Sequence, residues 1–222
     1  MQPDERILVT GGLTGIGAGI VDAFPGRCVV WSRRNGVDLT DEESVATAAR
    51  GLLAAGSPPF AVVHCVGDFD EVPLLDADLP HYRHMLDSNL TSAFLVVRHV
   101  VPALVAAGRG RVILFSAAGA SVADAKPRAP LYFAAKAGLS VLARTLALEV
   151  AASGVTVNVV APGIIRHPHS HRVSQDRMAP RVPMGRAGEV RDLLGAIRLL
   201  LSEEGAYITG AELVVDGGIG LR

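Results

Sequence analysis

Short runs of β-branched and other apolar residues alternate along the chain with longer stretches whose apolar positions recur every three or four residues. The first pattern is that of strands and the second that of amphipathic helices. It predicts strands over 7–10, 28–32, 60–65, 111–116, 155–161 and 212–215. Helices are predicted over 15–24, 42–55, 81–107 (with a break near 87–89), 131–153 and 189–203. Most strand runs are apolar without alternation, as in parallel strands covered on both faces. The alternation of strand and helix predicts one α/β domain over residues 1–222, a doubly wound parallel sheet. Asp41, just ahead of Glu42 and Ser44, is the expected N-cap of the second helix. Two stretches escape the pattern: 117–130, with charges and two prolines, and 162–187, rich in Pro, His and Arg. Loops of that length in a compact domain usually serve function.

Composition narrows the classes. Half of the 222 residues are hydrophobic and 19% are charged, which predicts a filled core and no disorder. A formal charge of −1 argues against nucleic acid or an acidic membrane surface as partner. The apolar stretch 90–107 is interrupted by Arg98, His99 and Pro102 and is not read as a membrane span. Cys28 and Cys65 fall inside strand runs and read as small buried hydrophobes in a reducing compartment. The chain opens Met1-Gln2-Pro3-Asp4-Glu5-Arg6 and runs straight into a strand, so no leader peptide and a cytoplasmic location are expected.

Thr10-Gly11-Gly12-Leu13-Thr14-Gly15-Ile16-Gly17 links the first strand to the first helix. Glycines there permit a tight turn, and backbone N–H groups at a helix N-terminus suit a pyrophosphate. The second strand ends in Ser32-Arg33-Arg34, with no acid before Asp38. An acid at this point binds a ribose 2′-hydroxyl, whereas guanidinium groups bind a 2′-phosphate through paired hydrogen bonds. The residues therefore favour NADP(H), with NAD(H) the second choice.

Tyr132 and Lys136 are four apart in a helical pattern, which puts them on one face. A phenol is a poor base at neutral pH unless a nearby positive charge stabilises its anion. Ser116 ends a buried strand, Asn89 falls at the helix break, and Pro162-Gly163 follows another strand. All map to the carboxyl ends of strands, where open α/β sheets bind ligands.

In order and spacing, the glycine turn, Asn89, Ser116, Tyr132-x-x-x-Lys136 and Pro162-Gly163 resemble the short-chain dehydrogenase/reductase family. Pro183-Met184-Gly185-Arg186 and Val215-Asp216-Gly217-Gly218 resemble its ending, so the likeness covers nearly the whole chain. The resemblance implies a Rossmann-like fold and hydride transfer between a nicotinamide and a carbonyl or secondary alcohol. It implies Tyr132 as acid/base, Ser116 orienting the substrate oxygen, Lys136 on the nicotinamide ribose, and Asn89 holding a relay water. Cofactor contacts are implied for Gly11, Leu13, Thr14, Gly15, Ile16, Gly17, Ser32, Arg33, Arg34, Asp38 and Leu39. The same holds for Cys65, Val66, Gly67, Tyr132, Lys136, Pro162, Gly163 and Ile165, with Asp38 meeting the adenine.

Three departures stand against that pattern. The family's Asn-Asn-Ala-Gly is here His64-Cys65-Val66-Gly67, so His64 reads as a structural histidine replacing one amide. One residue is missing near Ser116. Aligned from Gly119, Ser116 is the family's serine; aligned from Gly110-Arg111, Ala117 takes its place. The first alignment keeps a hydroxyl and is preferred. Finally, Arg34-Asn35-Gly36 is too short for the crossover helix between the family's second and third strands, so that helix should be absent and the third strand reduced or lost.

Other readings are weaker. His167-Pro168-His169-Ser170-His171 reads as a polar lid rather than a metal site, and no metal is expected. His81 and His84 read as a solvated face. A silent dinucleotide sensor or scaffold would have no need of Tyr132, Lys136 and the serine together. The substrate is expected to be a small carbonyl or alcohol; Arg166, Arg172, Arg177 and Arg181 read either as a site for an acidic or carrier-bound one, such as a 3-oxoacyl thioester, or as lid surface. By family analogy the chain forms a homotetramer or homodimer.

Overall fold

A computed structural model of the chain describes residues 5–167 and 179–221. Six strands, β1 (Ile7–Thr10), β2 (Cys28–Trp31), β3 (Ala61–His64), β4 (Gly110–Phe115), β5 (Val155–Pro162) and β8 (Glu212–Val215), form the main sheet. Every neighbouring pair is parallel, in the order β2-β1-β3-β4-β5-β8. A short ribbon, β6 (Ile165–Arg166) with β7 (Gly188–Glu189), brackets the undescribed part of the 162–187 stretch. The α-helices of the described residues are α1 (Gly15–Ala23), α2 (Glu42–Ala54), α3 (Leu79–Leu86), α4 (Ser92–Ala106), α5 (Pro130–Val150) and α6 (Val190–Leu201).

The expected fold is the one observed. Helices α2, α4 and α5 cover one face of the sheet, burying Val45, Val100 and Leu139 against Val62, Leu114 and Val157. Helices α1 and α6 cover the other, burying Ile20, Leu193 and Ile197 against Val9, Val63 and Ile113. The runs Leu79–Ala106 and Pro130–Ser153 are long and apolar enough to cross a membrane by length and composition. In this fold their apolar positions, Val96, Val100, Leu104, Leu139 and Ala143 among them, are buried in the core cluster with the sheet.

Local chemistry sets the helix starts. Asp41 accepts a hydrogen bond from Ser44 N at 2.8 Å, as an N-cap should. Helix α3 begins at Leu79, two residues ahead of the predicted start. Asp78 caps it by accepting from His81 N, and Pro80 sits in the first turn, where its missing N–H costs nothing. The predicted break is a π-turn at Asp87–Thr91 that turns Asn89 inward, with no exposed surface.

The crossover helix after β2 is absent, as expected, and so is the strand it would lead to. Between β2 and α2 the described chain has only a 3-10 turn, Arg33–Asn35. Strand β2 is therefore an edge. Asn35 lies against it: its Nδ2 donates to Val30 O at 2.6 Å, and its Oδ1 accepts from Ser32 N at 2.7 Å. One side-chain amide thus makes the two bonds that a peptide group of a neighbouring strand would make. The strand order now reverses between β1 and β3, the place where sheets of this kind open a crevice beyond their carboxyl ends.

Candidate active site

That crevice collects most of the residues singled out in the sequence. The turn after β1 carries Gly11, Leu13, Thr14 and Gly15 into α1. Gly17 must be glycine, because a Cβ there would lie 2.4 Å from Gly11 O. A cavity of about 240 Å³ is lined by Gly11, Leu13, Thr14, Ser32, Arg33 and Arg34. The glycine turn and the arginine pair therefore face one space. Ile16 is partly buried beside the core, and Val66 stands over Gly11. Asp38 pairs with Arg33 at 3.6 Å and accepts from Thr40 N and Thr40 Oγ1, all through Oδ1. Those bonds hold its carboxyl below the usual carboxylate range. The side chains of Leu39 and Ile165 are core residues, 4% and 7% exposed. Gly163 packs against Asp216, and Pro162 ends β5 opposite Val215.

On the other side, Tyr132 sits in the first turn of α5, one turn ahead of Lys136. The Lys136 Nζ lies 5.7 Å from the Tyr132 ring centroid and donates to Phe115 O at 2.8 Å. Burial draws the Lys136 pKa down to about 8, so it still carries its charge at neutral pH. Burial also pushes the Tyr132 phenol up to about 12. The ammonium alone therefore does not bring the phenol toward neutrality in the ligand-free chain.

Asn89 closes the group. Its Nδ2 donates to Asp68 O at 2.9 Å, Met85 O at 3.1 Å and Ser88 Oγ at 3.0 Å. Its Oδ1 is buried without a hydrogen-bond partner. Gly67 lies directly before it, since a Cβ there would meet Asn89 Oδ1 at 2.4 Å and Lys136 Nζ at 2.9 Å. An orphaned acceptor beside an ammonium, across a residue with no side chain, fits a bridging water and a sugar hydroxyl. The residues present thus fit a nicotinamide nucleotide.

Ser116 is engaged elsewhere. Its hydroxyl donates to Lys136 O at 3.2 Å and accepts from Ser140 Oγ at 3.1 Å, both on α5 beyond Lys136. The strand ladder runs on regularly past it, with Ser116 N donating to Val160 O and Ala118 N to Pro162 O. The preferred alignment does keep a hydroxyl at the strand end, but that hydroxyl braces α5 and does not bond Tyr132.

Two features, the Phe69 contact and the histidine–acid pairs on α3, were not legible beforehand, whereas the role of His64 was. Phe69 packs edge-on against the Tyr132 ring, centroids 5.0 Å apart. His64 does prove structural: Nδ1 meets Thr10 Oγ1 at 2.8 Å and Nε2 meets Ser92 Oγ at 3.2 Å. Ser92 donates to Ser88 O, so His64 carries its proton on Nε2 and accepts from Thr10. Burial, aided by the Lys136 charge, takes its pKa down to about 3. His81 and His84 are not simply solvated; they stand 3.2 Å and 3.0 Å from Asp70 and Asp68. A helical pair facing an acidic loop was the available signal.

A larger cavity, about 340 Å³, lies between the loop after β4 and the outer face of α5 at Phe133, Ala137, Val141 and Arg144. Tyr132 does not line it. Among the described residues no cluster of His, Cys, Asp or Glu could hold a metal ion. His169, His171, Arg172 and Arg177 lie outside the described residues.

A glycine turn at a sheet switch point, with a Tyr-Lys helix beside it, defines a nucleotide-binding α/β oxidoreductase. Comparisons with known proteins narrow this. A family model described as enoyl-(acyl carrier protein) reductase matches residues 30–220. A cis-4-hydroxycyclohexanecarboxylate dehydrogenase of Sinomonas cyclohexanicum is 34% identical over 87% of this chain and 77% of its own length. A 3-oxoacyl-(acyl-carrier-protein) reductase of Salmonella typhimurium is 32% identical over 82% and 75%. Among solved structures, a short-chain type dehydrogenase/reductase from Mycobacterium ulcerans superposes with a TM-score of 0.87 at 28% identity, covering 99% of this chain and 90% of that one. The chain belongs to the short-chain dehydrogenase/reductase family and is an oxidoreductase of the CH–OH/carbonyl type.

Proposed function

We propose that residues 1–222 form one domain that reduces a carbonyl, or oxidises the matching secondary alcohol, with NADP(H) and with Tyr132 as acid/base. The observation that carries this is the meeting of Tyr132, Lys136 and Asn89 around Gly67 at the carboxyl end of β3. Leu13, Thr14 and the glycines beside them hold a pyrophosphate; Ser32, Arg33 and Arg34 hold a 2′-phosphate in the 240 Å³ cavity they share. The nicotinamide, when bound, supplies or accepts the hydride. Tyr132 Oη gives a proton to the substrate oxygen in reduction and takes it back in oxidation. Lys136 keeps a positive charge beside the phenol, and Asn89 Oδ1 accepts from the water that replaces that proton. Bound positive charge then lowers a phenol pKa that burial alone has raised to about 12.

The relatives suggest two substrate classes, a ring-borne hydroxy acid and a 3-oxoacyl thioester. Arg166 and Arg181 suit the carboxylate of the first. The exposed Phe94, Val141 and Leu148 on α4 and α5 suit a homodimer or homotetramer, and a cytoplasmic location goes with that reading. The test is NADPH binding by fluorescence, followed by ketone-dependent NADPH oxidation. Tyr132→Phe should leave binding unchanged and lower turnover by about 10²–10⁴-fold. Binding without turnover across a broad ketone panel, unaltered in the variant, would overturn the proposal in favour of a silent sensor; equal turnover in the variant would remove Tyr132 as the acid/base.

A further inference from the structure

The segment after β3 is tied down along its whole length. Gly67 passes within contact of Asn89 and Lys136, and the next carbonyl, Asp68 O, accepts from Asn89 Nδ2. The three acids that follow pair outward to two different elements. Asp68 meets His84 and Asp70 meets His81, both on α3, while Glu71 accepts from Arg128 in the loop before α5. Phe69 is the one residue of Asp68–Glu71 that turns to the site. It meets the Tyr132 ring at 86°, with Phe133 edge-on to the same ring at 80°. Edge-to-face packing of this kind fixes a ring's orientation as well as burying it.

Phe69 nevertheless keeps 46% of its surface exposed, whereas Phe60 and Phe115, which fill the core, keep 6% and 5%. An aromatic ring pinned beside the reacting phenol and left half open is placed to cover something that arrives later. We propose that Phe69 is a positioning residue for Tyr132 and a specificity-determining wall of the substrate site, favouring a carbonyl flanked by an apolar ring over one in a linear chain. An apolar ring laid against Phe69 buries flat surface on both partners, and a linear chain of equal carbon count covers less of it. This inference rests on the proposed reductase activity, and its test separates the two.

The experiment compares wild type, Phe69→Ala and Phe69→Leu in NADPH oxidation with cyclohexanone and with a linear methyl ketone of the same carbon count. The kcat/KM ratio, cyclic over linear, should fall by about tenfold in Phe69→Ala and by less in Phe69→Leu. A purely structural role would lower both ketones together and leave the ratio unmoved. The second readout needs no cofactor. Tyrosinate absorbance of the ligand-free chain is titrated in wild type and Phe69→Leu, with Tyr132→Phe used to isolate residue 132. Loss of the ring lets water reach the phenol, so Tyr132 should ionise at lower pH in the variant. A ratio within twofold of wild type overturns the specificity role, and an unmoved Tyr132 titration overturns the positioning role. Wild type inert toward both ketones would count against the reductase reading, leaving the titration to decide the positioning role by itself.

Discussion

The Arg33 side chain is 64% exposed and Arg34 is exposed too, whereas on the other side of the cleft Lys136 is 4% exposed and lies beside the Tyr132 ring. The arginine side holds its charge cheaply, next to solvent, where a phosphate can be matched by a flexible fork and loosened by salt. The lysine side holds one charge out of water, fixed by Phe115 O, and its surroundings move every nearby proton equilibrium. Recognition of a bound anion tolerates the first arrangement. Acid/base chemistry needs the second, because burial strengthens each charge and hydrogen bond that acts on a nearby proton.

The sharpest way to break this contrast is Lys136→Met. Turnover should fall by about 10²-fold or more, while unfolding at neutral pH shows equal or higher stability, since a costly buried charge has gone. The pH profile gives the sign. Lys136 titrates near 8 when folded, against an ordinary 10.5. The unfolded chain therefore holds the extra proton between those values, and wild type gains stability as pH rises through them. The methionine variant should lack that rise in urea midpoint.

A smaller effect is expected across the cleft. The double change Arg33→Ala with Arg34→Ala should weaken NADPH binding by about 10–100-fold and leave NADH binding alone, as losing charge-assisted bonds to one phosphate would. Fluorescence titration at low and high salt checks it, because the wild-type preference should shrink with salt and the variant's should not. Equal loss for both nucleotides would mean that the pair shapes the turn rather than reading the phosphate.

The smallest effect concerns the buried side without its chemistry. His64 stays neutral down to about pH 3 when folded, against an ordinary 6.5. Below 6.5 the unfolded chain takes up a proton that the folded chain refuses, so stability drains away as pH falls toward 3. His64→Asn, which can still bond Thr10 or Ser92, should flatten that acid loss in denaturant midpoints measured across the window. Its turnover should stay within a few-fold of wild type.

These differences also explain what could be read in advance. Strands such as Ala61–Val63 were legible because burial on both faces favours an unbroken apolar run, and the helix break at Asn89 interrupted a strong period. The shortness of Arg34-Asn35-Gly36 revealed a missing helix because a crossover has a minimum length. Tyr132 and Lys136 were legible because their spacing stood in one order with the glycine turn, Asn89, Ser116 and Pro162-Gly163. The Ser116 orientation was not, because one rotamer decides whether a hydroxyl meets substrate or the carbonyl of Lys136, and Ser140 carries no signal until α5 is laid on β4. Phe69 was hidden for the same reason. Its importance comes from three outward ion pairs whose partners lie in other elements.

Asn35 has a consequence for the company the molecule keeps. An uncovered outer strand invites a second chain to stitch onto its free amides and carbonyls, the first step of aggregation. By occupying Val30 O and Ser32 N with its own amide, this chain blunts the docking point nearest the arginines. Solubility at that margin is thus entrusted to a single side chain, and the protein can do without some thirty residues of shielding that a helix and strand would take.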